Sequence, residues 1–154
     1  MSTNHALKIA VTAVVLVLCG AAEDLRKTAP PFPELAKDKG KVVLLNFWET
    51  TCGACKLEIP WLMEFEKQFK ASGFTVLGVA LDEAGWKSVR PFIRQKKLNY
   101  PVMIGSNDFA DQYKVAALPM TFLIDRQGRI AAEHTGLLDR AQFEKEIRRL
   151  LDEH

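Results

Sequence analysis

Cysteine is scarce: three residues in a chain of 154, too few for a small domain stapled by several disulfides. Two of them form a single C-x-x-C, Cys52 and Cys55. No second pair exists to complete a four-ligand zinc site, and His5, His134 and His154 show no ligand spacing. Lys56 rather than histidine follows the second cysteine, which excludes covalent haem attachment. Charge of one sign is lacking too. The 21 Lys and Arg are interleaved with 19 Asp and Glu for a net charge of +2, so no basic stripe offers itself to nucleic acid. No Gly/Ser-rich, Pro-rich or repeated segment occurs, and 48% hydrophobic with 26% charged residues is the make-up of one folded globular domain.

An apolar run of the roughly 20 residues that cross a bilayer comfortably is also missing. Lys8 is followed by an apolar stretch over residues 9–18, then Gly20, Ala21 and Ala22, then Glu23 and Asp24. That order is the three-part pattern of a secretory signal peptide. Residues 1–22 are therefore read as a cleaved leader, with a retained membrane anchor and a buried N-terminal helix as competing readings. Leu16-Val17-Leu18-Cys19 also looks like a bacterial lipoprotein signal with Cys19 bearing the lipid, although Leu18 stands where that pattern takes a small residue. Pro30, Pro31 and Pro33 argue against regular structure in residues 23–40, which read as a linker. The domain proper is expected over residues 41–154.

Residues 42–48, Val-Val-Leu-Leu-Asn-Phe-Trp, form a nearly unbroken apolar run of strand length, the pattern of a parallel strand covered on both faces. After them Leu57, Trp61, Phe65 and Phe69 recur at i+4 with charged residues between, which predicts an amphipathic helix kinked at Pro60. A second buried strand is expected over residues 74–81, after a helix stop at Gly73, followed by helices over 86–97 and 108–113. Antiparallel strands over 121–124 and 129–134 flank a turn at Gly128. A last helix starts from Asp139 and turns Phe143, Ile147, Leu150 and Leu151 inward. The order is βαβ, an extra helical section, then ββα: an α/β sandwich with a mixed sheet.

Cys52-Gly53-Ala54-Cys55 sits where the first strand ends and the helix begins. Unsatisfied N–H groups and the helix dipole favour a thiolate there; cysteine pKa values at such places fall in a range of roughly 3.5–7.5, against about 8.5 for a free thiol. Cys52, first and more exposed, is the expected nucleophile. Cys55, one turn deeper, can attack the mixed disulfide and close a ring with Cys52. A permanently oxidised structural disulfide is the plain alternative.

Phe47-Trp48-Glu49-Thr50-Thr51-Cys52-Gly53-Ala54-Cys55-Lys56 resembles the motif of the thioredoxin superfamily. Cys52-x-x-Cys55-x-x-Glu58-x-Pro60 is similar to its extracytoplasmic branch, the TlpA and ResA types, and Leu118-Pro119-Met120-Thr121-Phe122-Leu123-Ile124-Asp125 resembles the family's cis-proline segment. The likeness spans about residues 25–151. It implies a thioredoxin-like three-layer sandwich, a mixed central sheet with flanking helices, and a helical insertion supplied by residues 82–113. It further implies that Pro119 packs beside the cysteines and that Trp48, Leu118 and Pro119 meet the substrate. Protein disulfides are the implied substrates, apocytochrome c or other secreted thiols among them, reduced with electrons from a membrane thiol carrier. The implied location is outside the cytoplasmic membrane of a bacterium, in the periplasm or on an outward-facing tether, and no metal or organic cofactor is required.

Some positions depart from the family pattern. Thr51 and Ala54 replace a usual Trp and Pro at places that influence redox poise, and Asn46 stands where cytoplasmic thioredoxins have a buried Asp. Glu58, three residues after Cys55, is either a partly buried proton relay or a solvated first-turn carboxylate. Trp48 reads as a shield over the cysteines, a core residue, or both; His134 reads as structural. Leu45 and Glu49 occupy the places of the Pro and Thr that precede a peroxiredoxin nucleophile, which argues against a thiol peroxidase. A disulfide oxidant or isomerase uses the same chemistry, whereas a non-catalytic thioredoxin-fold binding module keeps the disulfide only as structure.

Overall fold

Every residue of the apolar run Val42–Trp48 is buried, because it lies inside a six-stranded sheet. The computed structural model describes residues 26–153. Its strands are β1 (Lys27–Thr28), β2 (Val42–Trp48), β3 (Phe74–Ala80), β4 (Val102–Ile104), β5 (Met120–Ile124) and β6 (Arg129–Thr135), in the order β1-β6-β5-β2-β3-β4. β2, β3 and β4 are parallel neighbours, and β5, β6 and β1 continue the sheet antiparallel. The helices are α1 (Pro33–Lys37), α2 (Gly53–Phe69), α3 (Trp86–Lys96), α4 (Asn107–Gln112) and α5 (Arg140–Asp152).

Alternation along β2 sorts the layers. Val42 and Leu44 pack with Leu62, Phe65 and Phe69 of α2 and with Phe143, Ile147 and Leu150 of α5. Val43, Leu45 and Phe47 face the other way, into a cluster with Phe32, Tyr113, Phe122 and Ile124. This is the three-layer thioredoxin-like sandwich expected from the motifs. Side chains far apart in sequence close it. The Arg126 guanidinium donates to the carbonyls of Gly40, Ser72 and Leu151 at 3.0, 3.2 and 3.1 Å. Gly73 has φ +85, a left-handed conformation that favours glycine, where the chain leaves the helix for β3.

Three expectations need correction. The inward face of α2 is Cys55, Glu58, Ile59, Leu62, Phe65, Glu66 and Phe69, while Leu57 is 62% exposed. A strict i+4 series advances about 40° too far at each step, so a row that reaches the core at Phe65 and Phe69 has rotated off it by Leu57. The helix itself runs unbroken through Pro60, which is exposed. Next, the insertion is not purely helical: α3 and α4 are joined by β4, which extends the sheet beside β3. Three partly buried residues directly after Pro101 are too few to show periodicity.

The linker expected over residues 23–40 is, in its described part, an integral piece of the domain. Lys27–Thr28 pairs with β6, and Pro33 opens α1 at a first-turn position where its missing N–H costs nothing. Phe32 is 8% exposed and meets the rings of Phe109 and Tyr113 at centroid distances of 5.0 and 6.3 Å, and Tyr113 Oη donates to Pro30 O at 2.8 Å. The leader reading of residues 1–22, with Cys19, lies outside the described residues. Phe32→Ala is expected to destabilise the fold by about 3 kcal/mol in urea unfolding, as loss of a packed aromatic does; a detachable linker would leave the midpoint unchanged.

Candidate active site

β2 ends at Trp48, and the chain makes one turn before α2 begins. The turn is closed by Cys52 N–H donating to Glu49 O at 3.2 Å, which puts Cys52 at the N-cap of α2. The first turn of a helix has N–H groups without intrahelical partners. One of them, on Cys55, donates to Cys52 Sγ at 3.1 Å. The two cysteines are joined as a disulfide, with Cα atoms 5.3 Å apart. Cys52 is half-buried; Cys55 is wholly buried among Trp48, Ile59, Ala80, Val89 and Phe92.

Trp48 is fully buried and its ring lies 5.2 Å from that of Phe92, in the same cluster as Cys55. It is thus a core residue that forms part of the floor under the disulfide. Leu118, partly buried, packs against this cluster, as does Cys52. The Leu118–Pro119 peptide is cis, as the resemblance implied, and Pro119 O accepts from Gly136 N–H at 2.8 Å. Trp48, Leu118, Pro119, Cys52 and Cys55 are therefore brought to one end of the sheet. His134 is a structural residue, its Nε2 3.0 Å from Leu137 O and its ring set edge-on to Phe143.

Glu58 is completely buried, which overturns the solvated reading of this carboxylate. Asn46 Nδ2 donates to its Oε1 at 2.7 Å and Leu138 N–H to its Oε2 at 3.4 Å; the same Asn46 Nδ2 also donates to Thr121 Oγ1 at 2.9 Å. Burial raises the Glu58 pKa to about 7, against the lowering effect of the hydrogen bonds from Asn46 and Leu138. Sheet register builds this group: Asn46 lies opposite Thr121 on β5 and Gly78 on β3. A Cβ at Gly78 would stand 2.9 Å from Trp48 Nε1 and 3.2 Å from the Tyr100 ring, so this glycine makes room for the indole. Thr121 and the Leu138 amide escaped the sequence reading. The only signal for Thr121 was its place two residues after Pro119 on a strand.

Residues 32–133 match the sequence profile of the AhpC/TSA family. The thiol-disulfide oxidoreductase ResA of Bacillus thuringiensis is 30% identical over 161 aligned residues, covering 89% of this chain and 92% of ResA. Among solved structures, a candidate thiol:disulfide interchange protein DsbE from Chlorobium tepidum superposes with a TM-score of 0.77 at 31% identity, over 82% of this chain and 96% of that one. A secreted thiol-disulfide isomerase from Corynebacterium glutamicum gives a TM-score of 0.73 at 25% identity, over 77% of this chain and 75% of that one. With a cysteine pair at a strand-to-helix junction beside a cis-proline, the chain belongs to the AhpC/TSA family and, like the ResA proteins it resembles, is a thiol-disulfide oxidoreductase of thioredoxin fold.

Proposed function

We propose that the protein reduces disulfides of exported proteins, with Cys52 as nucleophile and Cys55 as resolving thiol. The observation that carries this reading is the asymmetry of the pair: Cys52 is accessible and its sulfur faces a helix N–H, whereas Cys55 is shut in the core. In the dithiol form the Cys52 thiolate attacks one sulfur of the substrate disulfide. A Cys52–substrate disulfide forms and the first substrate thiolate leaves. Cys55 then gives its proton to Glu58 and attacks Cys52 Sγ, which closes the Cys52–Cys55 disulfide and expels the second substrate thiolate. Two electrons pass to the substrate, whose sulfurs take up two protons. The substrate chain lies against the partly buried Leu118 and the backbone at Pro119, with Trp48 supporting the disulfide from beneath.

Direction follows from which form the protein favours. The likeness to the ResA thiol-disulfide oxidoreductases supports the direction of a reductant. The expected reduction potential is near about −270 mV, and a value near about −120 mV would make the protein an oxidant instead. A membrane thiol carrier restores the dithiol, and apocytochrome c is one candidate among the secreted thiols. The sequence of residues 1–22, read as a leader, and the secreted Corynebacterium neighbour support a site of action outside the cytoplasm, in the periplasm or tethered facing outward.

Cys52→Ser is expected to abolish catalysed insulin reduction, and Cys55→Ser to accumulate mixed disulfides visible on non-reducing gels. A Cys55→Ser protein that captures nothing from a periplasmic extract counts against protein substrates.

Glu58 gives a separate test. In the folded protein it keeps its proton to about pH 7, whereas its ordinary pKa is 4.5. Between those values the folded chain binds more protons than the unfolded one, so stability falls as pH rises through this window. Glu58→Gln is expected to remove that fall, which amounts to roughly 3 kcal/mol, in urea unfolding of the oxidised protein at about pH 5 and about pH 8. The same variant should also slow resolution of the mixed disulfide and erase an inflection near pH 7 in its rate.

A further inference from the structure

The turn that carries Cys52 is gripped by a carboxylate beyond the end of the neighbouring strand. Leu81 N–H donates to Trp48 O at 2.9 Å, so β3 and its extension run alongside the end of β2 and bring Asp82 up to the turn. Thr50 N–H donates to Asp82 Oδ1 and Oδ2 at 3.2 and 3.1 Å, and Thr50 Oγ1 donates to Asp82 Oδ1. Ser88 Oγ, in α3, lies 3.3 Å from the same oxygen and 3.1 Å from Gly85 O, the two acceptors within reach of its one hydrogen. Groups able to donate, from two separate segments, thus converge on one half-buried carboxylate, which as an anion can only accept. Thr50 is the second residue of the Glu49–Cys52 turn. Thr51, the third, is exposed, so apolar packing does not hold the turn at that position.

We propose that Asp82 is a positioning residue for thiol-disulfide exchange: by holding Thr50 it fixes the turn that sets Cys52 Sγ at the N-terminus of α2. The proposal rests on the reading of Cys52 as nucleophile. Asp82 acts through Thr50. Released, the turn samples conformations in which the sulfur leaves the N–H groups of the first helical turn, and the thiolate loses the interaction that favours it. The negative charge of Asp82 works in the other sense, since a nearby anion disfavours a thiolate. Removing the charge alone should therefore make Cys52 more acidic, and removing the grip should make it less so. The two effects separate by sign.

The test uses the reduced full-length protein in a Cys55→Ser background. Iodoacetamide alkylation of Cys52 is followed against pH by mass spectrometry, which distinguishes it from Cys19. Asp82→Ala and Asp82→Asn are both neutral, but Asn keeps an acceptor for Thr50 N–H and offers its amide to Thr50 Oγ1. Asp82→Ala is expected to slow alkylation at neutral pH about tenfold and to raise the apparent ionisation point of Cys52; Asp82→Asn, which keeps the grip and loses the charge, should react at least as fast as the parent. Equal behaviour of the Ala and Asn variants, or an Ala variant as reactive as the parent, overturns the proposal. Should Asp82→Ala fail to fold by circular dichroism, Asp82→Ser, neutral and with a side chain too short to span to Thr50, decides by the same readout: slowed alkylation supports the grip and an unchanged rate refutes it. A parent Cys52 no more reactive than cysteine in a short peptide overturns the functional reading itself, and the proposal with it. A reactive parent with an unaffected Asp82→Ala variant overturns the role of Asp82 alone.

Discussion

The structure depends on the junction at which a fully buried strand stops and a helix starts. β2 is covered on both faces, so its end is fixed to within the tolerance of core packing. α2 begins five residues after Trp48, and its uncapped N–H groups are thereby held at one place relative to the sheet. A reactive sulfur at the N-cap needs that rigidity, because the interaction between a partial positive charge and a thiolate falls off within a single turn. The other parts of the site, from the cis-proline segment to the polar group under α2, are arranged around this fixed point by the pairing of β5 and β3 with β2.

α2 turns two carboxylates inward, and their surroundings give them different work. Glu66 accepts from Val76 N–H at 2.8 Å and lies 3.0 Å from Lys70 Nζ, so a cation balances its charge. The partners of Glu58 are an amide side chain and a backbone N–H, dipoles without net charge. Dipoles moderate the cost of a buried anion without cancelling it, and the proton is retained to near neutrality. A carboxylate on the same helix face, three residues after the buried cysteine, is thereby poised to change its protonation in the pH range where thiol exchange proceeds.

Much of this was legible in the amino-acid sequence because the strongest signals are local. The run at residues 42–48, the C-x-x-C behind it, the turn at Gly128 and the Asp139 cap, which accepts from Gln142 N–H at 2.9 Å, each follow from neighbours within a few positions. The misread parts have equally definite causes. β1 and β4 are two and three residues long, shorter than any period can reveal. The phase of α2 was set on Leu57, an exposed leucine that resembles a core residue in one dimension. The partners of Glu58 lie 12 and 80 positions away and meet only through sheet register and the return of the chain after β6. Asp82 likewise sits 32 positions from Thr50, and nothing in its neighbours along the chain advertises the contact.

Arg126 has a different kind of consequence. Its three carbonyl acceptors belong to the approach to β2, the stretch after α2 and the last turn of α5, separated from it by 86, 54 and 25 positions. None of these bonds can form until sheet and helices have assembled, so a single guanidinium couples the fraying of the C-terminal helix to the opening of the opposite end of the sheet. Those two peripheral regions, which chain position alone would leave to breathe independently, are joined into one cooperative unit of local unfolding.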